Sequence, residues 1–563
     1  MAEQTYLYLT LVVVLVSVTL ALRFPAAKHG LKLPPGPKPL PVFGNIFDFP
    51  PKGAPEAQHW VKHKNAYGPL TSVSTFGNTI IVSHDRDLTY ALLEKRAGKT
   101  MLRPGMCFAD ELCGYDLLMG SNKDGGIDLR HRHKIMLRHL TTKTKVNEMS
   151  GTMEAEVNRC LVQLLDEPQG LQTHMRTYVL ILCLREGDMQ LITWNEGLTI
   201  RDSEVGALIL KMVYDYSIKR DGADPLVTMI EQMAYNFSVA FVPFAWTVDI
   251  IPAIRRLPDW LPGMSFKATA KAFRKINQAV CDVPYDFILE KLSDGRSRFP
   301  SFVATATAED GMPSDREHQS DKDENIKGSA ASIYAAGSDT LVSSLSAFFL
   351  AMIIYPDVKR KAQAEIDSVI GSDRLPNLGD AERLPYVSAL IQELHRWNTV
   401  VPMGLPHRAE EDMEFAGYFI PKGAVLLSAV WWFSHNPDTY PNPDSFEPER
   451  FLEPRNEPDP KSFIFGFGRR RCPGRLIADG LLFLNITRTL AVFDVQGSPD
   501  QKHPRLEPSP GTLSHPKPFK HSITPRSKRH EELLRRVAGS QTREKSDAQL
   551  LGIPDGLEVD WHG

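Results

Sequence analysis

Cys472 stands in the run Phe465-Gly466-Phe467-Gly468-Arg469-Arg470-Arg471-Cys472-Pro473-Gly474. Phe465, Gly468, Arg470, Cys472 and Gly474 space five residue types as F-x-x-G-x-R-x-C-x-G. Gly466 and Gly468 permit a tight turn that other residues resist. Arg475 to Phe493 reads as a helix, so the cysteine lies just before a helix N-terminus. Free N–H groups and the positive end of the helix dipole stabilise a thiolate there. Gly474 allows a flat ligand to approach the backbone. Arg470 is placed for a charge-assisted hydrogen bond to a carboxylate such as a haem propionate. This arrangement suits thiolate ligation of a haem iron, with nearby N–H groups tuning the electron density on sulfur. A buried, inert cysteine is the usual fate of a lone Cys. That alternative leaves the five fixed types unexplained.

Three further groups of residues bear on chemistry. Ala336-Gly337-Ser338-Asp339-Thr340 lies inside a long predicted helix, Asn325 to Tyr355, ended by Pro356. A glycine there costs about 1 kcal/mol relative to alanine and asks for a packing or functional reason. A hydroxyl and a carboxylate, Thr340 and Asp339, suit proton transfer beside a dry metal site. Glu393 and Arg396, at i and i+3 of Glu393-Leu394-His395-Arg396, share a helix face and can pair. Alone, that spacing is usually a surface ion pair. Here Phe446-Glu447-Pro448-Glu449-Arg450-Phe451 follows it. His407, in Pro406-His407-Arg408, is the third group.

Together these motifs resemble the cytochrome P450 family of the membrane-bound eukaryotic type, most closely the fungal subgroup that includes O-methylsterigmatocystin oxidoreductase. The resemblance runs from the N-terminus to about residue 525. It implies haem b with Cys472 as axial thiolate and sole protein ligand to the metal. It implies Phe465, Gly468, Arg470, Cys472, Gly474, His407 and Arg132 around the cofactor, with His407 and Arg132 directed at propionates. Asp339 and Thr340 become the catalytic proton-handling residues, and Gly337 leaves room for dioxygen. Glu393, Arg396 and Arg450 become a structural triad. The activity implied is monooxygenation of a lipophilic small molecule, with electrons from NADPH through a cytochrome P450 reductase, and cytochrome b5 as a further candidate donor. Arg469 and Arg471 are candidates for the reductase-docking patch. Apolar residues at 106–108, 335–336, 400–405 and 511–513 are expected at the substrate pocket. A reductase-independent isomerase or peroxygenase, and a catalytically dead haem-binding paralogue, are the rival readings.

One family feature is missing. The early helix of the family carries W-x-x-x-R, whereas Gly125 to Lys134 reads GGIDLRHRHK, and no Trp lies between Trp60 and Trp194. The tryptophan position maps to Asp128 or Arg130, and the arginine to Arg132 or Lys134. His131 and His133 point apart on a helix and read as part of a basic helix rather than a metal site.

The elements that must position these residues give a mostly α fold with small β-sheets. The chain has 563 residues, 42% hydrophobic and 24% charged, with net charge -3. That balance offers no general attraction to nucleic acid. Six cysteines without C-x-x-C spacing indicate neither a zinc site nor a disulfide framework, and fit a reducing compartment. Tyr6 to Leu22 is uncharged and mostly apolar, at the short end of the roughly 17–25 residues that span a bilayer. Residues 1–23 therefore read as one N-terminal transmembrane anchor. Arg23, Lys28 and Lys32 behind it put the catalytic domain on the cytosolic side of the endoplasmic reticulum membrane, single-pass. Residues 24–54, with Leu33-Pro34-Pro35-Gly36-Pro37, form a stiff connector and the start of the catalytic domain. Residues 55–525 form that domain. Within it, 177–204 interrupts a helical pattern without turn chemistry and reads as a surface insertion or, in part, translated intron. Glu309 to Lys327 is expected to be a charged surface loop. Residues 526–563, basic and then mixed in charge, are expected to be a disordered tail.

Overall fold

A computed structural model describes residues 31–553 except 42, 52–53, 76, 120–126, 167, 169–203, 220–223, 242–245, 298, 310–315, 500–503 and 540–544. The expected anchor and nearly all of segment 177–204 lie outside the described residues. The principal helices are α1 Glu56–Tyr67, α2 Arg86–Leu93, α3 Ile127–Leu140, α4 Lys143–Asp166, α5 Glu204–Tyr214, α6 Pro225–Ala240 and α7 Phe266–Ser293. They continue with α8 Phe302–Glu309, α9 Arg316–Ile354, α10 Pro356–Val369, α11 Pro385–Trp397, α12 Arg475–Val492 and α13 Lys528–Gly539. Local sequence chemistry sets several boundaries. Pro356 and Pro385 occupy first-turn positions, where a missing N–H costs nothing. Asp85 caps α2 through Leu88 N, and Asp224 caps α6 through Leu226 N and Val227 N.

The strands are β1 Leu70–Thr75, β2 Asn78–Ser83, β3 His407–Arg408, β4 Met413–Phe415, β5 Tyr418–Ile420, β6 Val425–Ser428, β7 Phe493–Gly497 and β8 His521–Pro525. The largest sheet has the order β1-β2-β6-β3. β2 pairs with β6 in parallel, Ile80 opposite Val425, so early and late parts of the chain share one sheet. This carries His407 on β3 to the region of residues 100–103, where Leu102 bridges Arg408. The main core gathers around α9, whose Phe348, Ala351 and Met352 are fully enclosed, and α12. Being wrapped by neighbours explains why the last turns of α9, from Ala347 to Ile354, are apolar on every side.

Three expectations are revised. The loop expected at Glu309 to Lys327 is helical from Arg316 onward, as the first turns of α9. The proline connector is bonded to the domain from residue 32. Phe419 N donates to Lys32 O, Ser72 Oγ to Pro34 O (2.6 Å), and Ser72 N to Pro35 O. A Cβ at Gly36 would lie 1.9 Å from Ser72 O, so only glycine allows this approach. The tail expected to be disordered forms α13 beyond β8. Leu533 and Leu534 are buried on it. Arg526 pairs with Asp367, Arg529 with Asp373 and Arg535 with Asp166. Farther on, Asp547 accepts from Ser217 N (2.9 Å) and from Lys291 Nζ (3.1 Å). The stretch is charged enough to look unstructured, but its few apolar residues fall on one helical stripe and its charges find partners.

Candidate active site

The cysteine loop is built by glycines. Gly466 and Gly468 have φ of 80° and 57°. A Cβ at Gly468 would stand 2.5 Å from Leu93 O, so the turn packs directly on the end of α2. Cys472 N donates to Phe465 O (2.8 Å), closing the loop. Gly474 caps α12 without a side-chain hydrogen bond. Burial pushes the Cys472 thiol up, while the N–H groups of Gly474 and Arg475 and the Arg475 charge pull it down. The thiol is favoured until a cation binds the sulfur and reverses the balance. A Cβ on Gly474 would meet only Cys472 Sγ, at 3.9 Å, so no other segment crowds the backbone there.

Beside this loop three basic side chains crowd together. Arg470 Nε donates to Met101 O (2.8 Å). His407 is buried, with Nδ1 2.7 Å from Thr100 O. Arg103 Nη1 donates to Leu405 O (2.9 Å) and Pro406 O (2.6 Å). Burial, then the charge of Arg103, lowers His407 to about 3. Burial lowers Arg470 to about 10, against an opposing pull from Glu410. Burial and Arg470 lower Arg103. Arg470 Nη2 is buried with no hydrogen-bond partner. An unsatisfied guanidinium nitrogen in a crowd of positive charge costs on the order of 1–3 kcal/mol unless an acceptor arrives. An anion is therefore missing from the protein's own balance. Among the described residues no group of three or more His, Cys, Asp or Glu could hold a metal. One potential thiolate ligand with an anion-seeking cluster beside it fits a haem, which brings four of the iron's ligands and two carboxylates itself.

The second candidate group lies on α9. Ala336 is exposed and Gly337 and Thr340 are part-exposed, in a helix whose Ala330, Ala331 and Val342 are buried. Thr340 Oγ1 donates to Ala336 O (2.8 Å), leaving the oxygen lone pairs to accept. Asp339 is 3.3 Å from Nε2 of His515. Gly337 also has a packing role. A Cβ would meet Ile209 of α5 at 3.2 Å, so the glycine serves helix packing.

Glu393, Arg396 and Arg450 meet, all three fully buried. Arg396 grips Glu393 bidentately (2.7 and 2.8 Å), and Arg450 Nε reaches Glu393 Oε1 (3.2 Å). Backbone carbonyls take the other arginine donors: Ser434, Pro443 and Ser445 from Arg396, Pro441 and Asn442 from Arg450.

Arg132 is corrected. Its Nε donates to Asn325 Oδ1 (3.2 Å) and its Nη1 to Leu117 O (2.5 Å), against the N-terminal part of α9 and away from the basic cluster. Neither helix register expected from the sequence applies. The residue of α3 turned toward the ligand loop is His133, half-buried and lowered by burial, then by Arg470 and Arg475. Of the candidate docking pair, Arg469 is exposed, while Arg471 turns inward to Lys461 O (3.0 Å). In the sequence Arg103 and His515 belong to no motif, and His133 reads only as part of a basic helix. Arg103 sits in an unremarkable Leu-Arg-Pro, and His133 was hidden by an uncertain helix phase. Nothing near His515 signals its partner.

The cytochrome P450 family profile matches residues 34–523. The chain is 40% identical over 526 residues to "Multifunctional cytochrome P450 monooxygenase af510" of Aspergillus fumigatus, covering 92% of this chain and 93% of the relative. It is 40% identical over 530 residues to "Cytochrome P450 monooxygenase CLM2" of Gibberella zeae, covering 93% and 94%. With O-methylsterigmatocystin oxidoreductase of Aspergillus flavus it shares 34% over 521 residues, covering 92% of each.

Proposed function

The chain belongs to the cytochrome P450 family and is a cytochrome P450 monooxygenase, and from that premise we propose that it inserts one oxygen atom of O2 into a lipophilic small molecule at a haem b held by Cys472. The family implies haem-thiolate chemistry, a reductase partner and a small substrate. The finer reading has NADPH-cytochrome P450 reductase as electron donor, with cytochrome b5 as a second donor to be tested. It places the reaction in fungal secondary metabolism or xenobiotic oxidation. The observation that carries it is the Cys472 loop beside a basic cluster whose Arg470 Nη2 lacks an acceptor.

When bound, the haem supplies the oxygen-activating redox chemistry. The protein's part is separate. Cys472 donates the thiolate, with the Gly474 and Arg475 N–H groups setting its electron density. Arg470, Arg103 and His407 would hold the propionates, and His133 stands where a further contact is available. Asp339 and Thr340 keep a carboxylate and a hydroxyl at the open window of α9, to hold and pass protons. The buried Glu393 network fixes α11 against the 441–450 segment below the ligand loop.

We place the protein at the endoplasmic reticulum membrane, single-pass, with its catalytic domain cytosolic. The apolar run Tyr6 to Leu22 and the basic residues after it support this. So do exposed apolar side chains such as Phe47 (84%) and Trp260 (79%). The test is the carbon monoxide difference spectrum of the reduced protein, followed by product formation with and without NADPH and reductase. A band at the wavelength that names the family and NADPH-dependent oxygenation are expected. Reductase-independent turnover would instead support the isomerase or peroxygenase reading. Spectral titration with a panel of lipophilic compounds then narrows the substrate.

A further inference from the structure

The segment 508–516 lies against α9 on the face that carries Asp339 and Ser343. Ser343 Oγ donates to Ser514 O (2.6 Å). Ser514 N donates to Val400 O (2.8 Å), tying the segment to the chain after α11. The segment also closes on itself: Ser509 N donates to His515 O (2.8 Å) and His515 N to Ser509 Oγ (2.9 Å). These bonds hold the His515 backbone from both sides. The imidazole is 1% exposed, yet neither ring nitrogen has a hydrogen-bond partner. Its one charged neighbour among the described residues is Asp339, with Nε2 3.3 Å from Oδ1, an ion-pair separation just outside hydrogen-bond geometry.

A buried imidazole with two unsatisfied nitrogens is costly, and such groups are rarely kept without a use. The carboxylate it faces is that of Asp339, beside Thr340, on the turn of α9 assigned above to proton handling. No acid on its own segment competes. Glu507 pairs with Lys517 at the surface (2.9 Å). The groups bonded to the segment are uncharged: Ser343 Oγ and the Val400 carbonyl at Ser514, and Ser509 at the His515 backbone. A cavity of about 370 Å³ opens on the other side of the segment. Its lining runs from Glu56 and Arg505 inward to Asn398, Ser509 and Ser514, one residue from His515. Asn398 Nδ2 reaches Ser343 Oγ (3.3 Å). Polar groups therefore run from the cavity to both faces of the segment that presents the imidazole.

We propose that His515 is the proton-holding partner of Asp339, positioning its carboxylate and recharging it with protons drawn from the 398–514 cavity. The proton breaks from His515 Nε2 and bonds to Asp339 Oδ1. The neutral imidazole, left when the imidazolium gives up that proton, is reprotonated by hydronium arriving through the cavity, which leaves as water, so each transfer conserves charge and no oxidant or reductant is needed. His515 acts through Asp339 and is a positioning residue. The inference rests on the monooxygenase reading above.

The experiment compares wild type, H515Q, D339N and the double variant as full-length membrane protein. First, the carbon monoxide difference spectrum is recorded for each. Its absence in wild type would overturn the haem-thiolate reading without touching the histidine–aspartate pair. Second, ring signals of labelled histidine are recorded at one fixed pH in the reduced, carbon monoxide-bound form, with H515Q identifying the His515 signals. D339N is expected to displace the His515 ring signals, because the carboxylate stands 3.3 Å from Nε2. Undisplaced signals overturn the proposal, and this comparison does not require H515Q to be active. Third, the pH profile of NADPH-driven peroxide release with reductase and no added substrate is measured. H515Q and D339N are expected to lose the same inflection, with no further change in the double variant. A profile unchanged in H515Q while D339N alters it would also overturn the pairing.

Discussion

Two clusters of buried arginine lie on the two sides of the ligand loop, and they are balanced differently. In the Glu393–Arg396–Arg450 network, the carboxylates of Glu393 and Glu457 and five backbone carbonyls take the guanidinium donors, and nothing is left over. In the Arg103–Arg470–His407 cluster the backbone takes some donors, but no acid enters except Glu410, and Arg470 Nη2 has no acceptor. The first is a finished structural joint. The second is a site that is complete only with an anionic ligand. The same residue types serve opposite purposes, and the difference lies in whether the protein supplies the counter-charge.

This contrast can be broken by mutation. E393Q is expected to have the largest effect, because it leaves two buried guanidinium groups without their carboxylate. Breaking such a network costs roughly 3–5 kcal/mol. Urea unfolding and the yield of folded protein would show the loss with or without haem. R470Q should behave otherwise: the haem-free protein should unfold at the same or higher urea concentration. Loss of a charged hydrogen bond worth about 1.5–3 kcal/mol should speed haem transfer to an acceptor protein about ten- to hundred-fold. If R470Q destabilised the haem-free form as E393Q does, the two clusters would not differ in kind.

Acid sharpens the comparison. His435, beside the finished network, is lowered to about 3 by burial and then by Arg396. His407 is lowered to about 3 by burial and then by Arg103. A folded-state value below the ordinary 6.5 means the unfolded chain binds more protons between those limits. Stability is therefore full above pH 6.5 and falls as pH drops toward 3, by up to about 1.4 kcal/mol per pH unit for each histidine. H435Q should flatten part of this slope whether or not haem is bound. H407Q should flatten it mainly in the haem-free form, because propionates would lift His407 back up. The melting temperature between pH 7 and 5 reads both. The smallest effect belongs to H133A. As a part-exposed contact worth at most about 1 kcal/mol, it should quicken haem loss up to about five-fold. R132A should leave haem loss unchanged and lower thermal stability instead.

Much of the architecture was legible. Helices at Pro385–Trp397 and Arg475–Val492 and the strands around residues 80 and 426 follow from apolar period, proline and glycine. The triad was legible as family resemblance and found as geometry. Failures came where a pattern had more than one phase or where charge masked amphipathicity. Gly125 to Lys134 allows several helix registers, and only packing against the ligand loop selected His133 over Arg132. The tail after Pro525 carried a stripe of Leu533 and Leu534 too sparse to outweigh its charges.

By itself the sequence determined the cysteine loop, the Asp339–Thr340 turn and the class of enzyme, because these are short spacings that encode local backbone geometry. Tertiary structure alone decided which buried charges are answered. Arg103 meets Arg470 and His407, Gly337 yields to Ile209, and His515 faces Asp339, through crossings between segments far apart in the chain. A spacing motif can specify a turn or a helix face. The balance of buried charge depends on every chain segment that folds against it, so no single segment of sequence contains it.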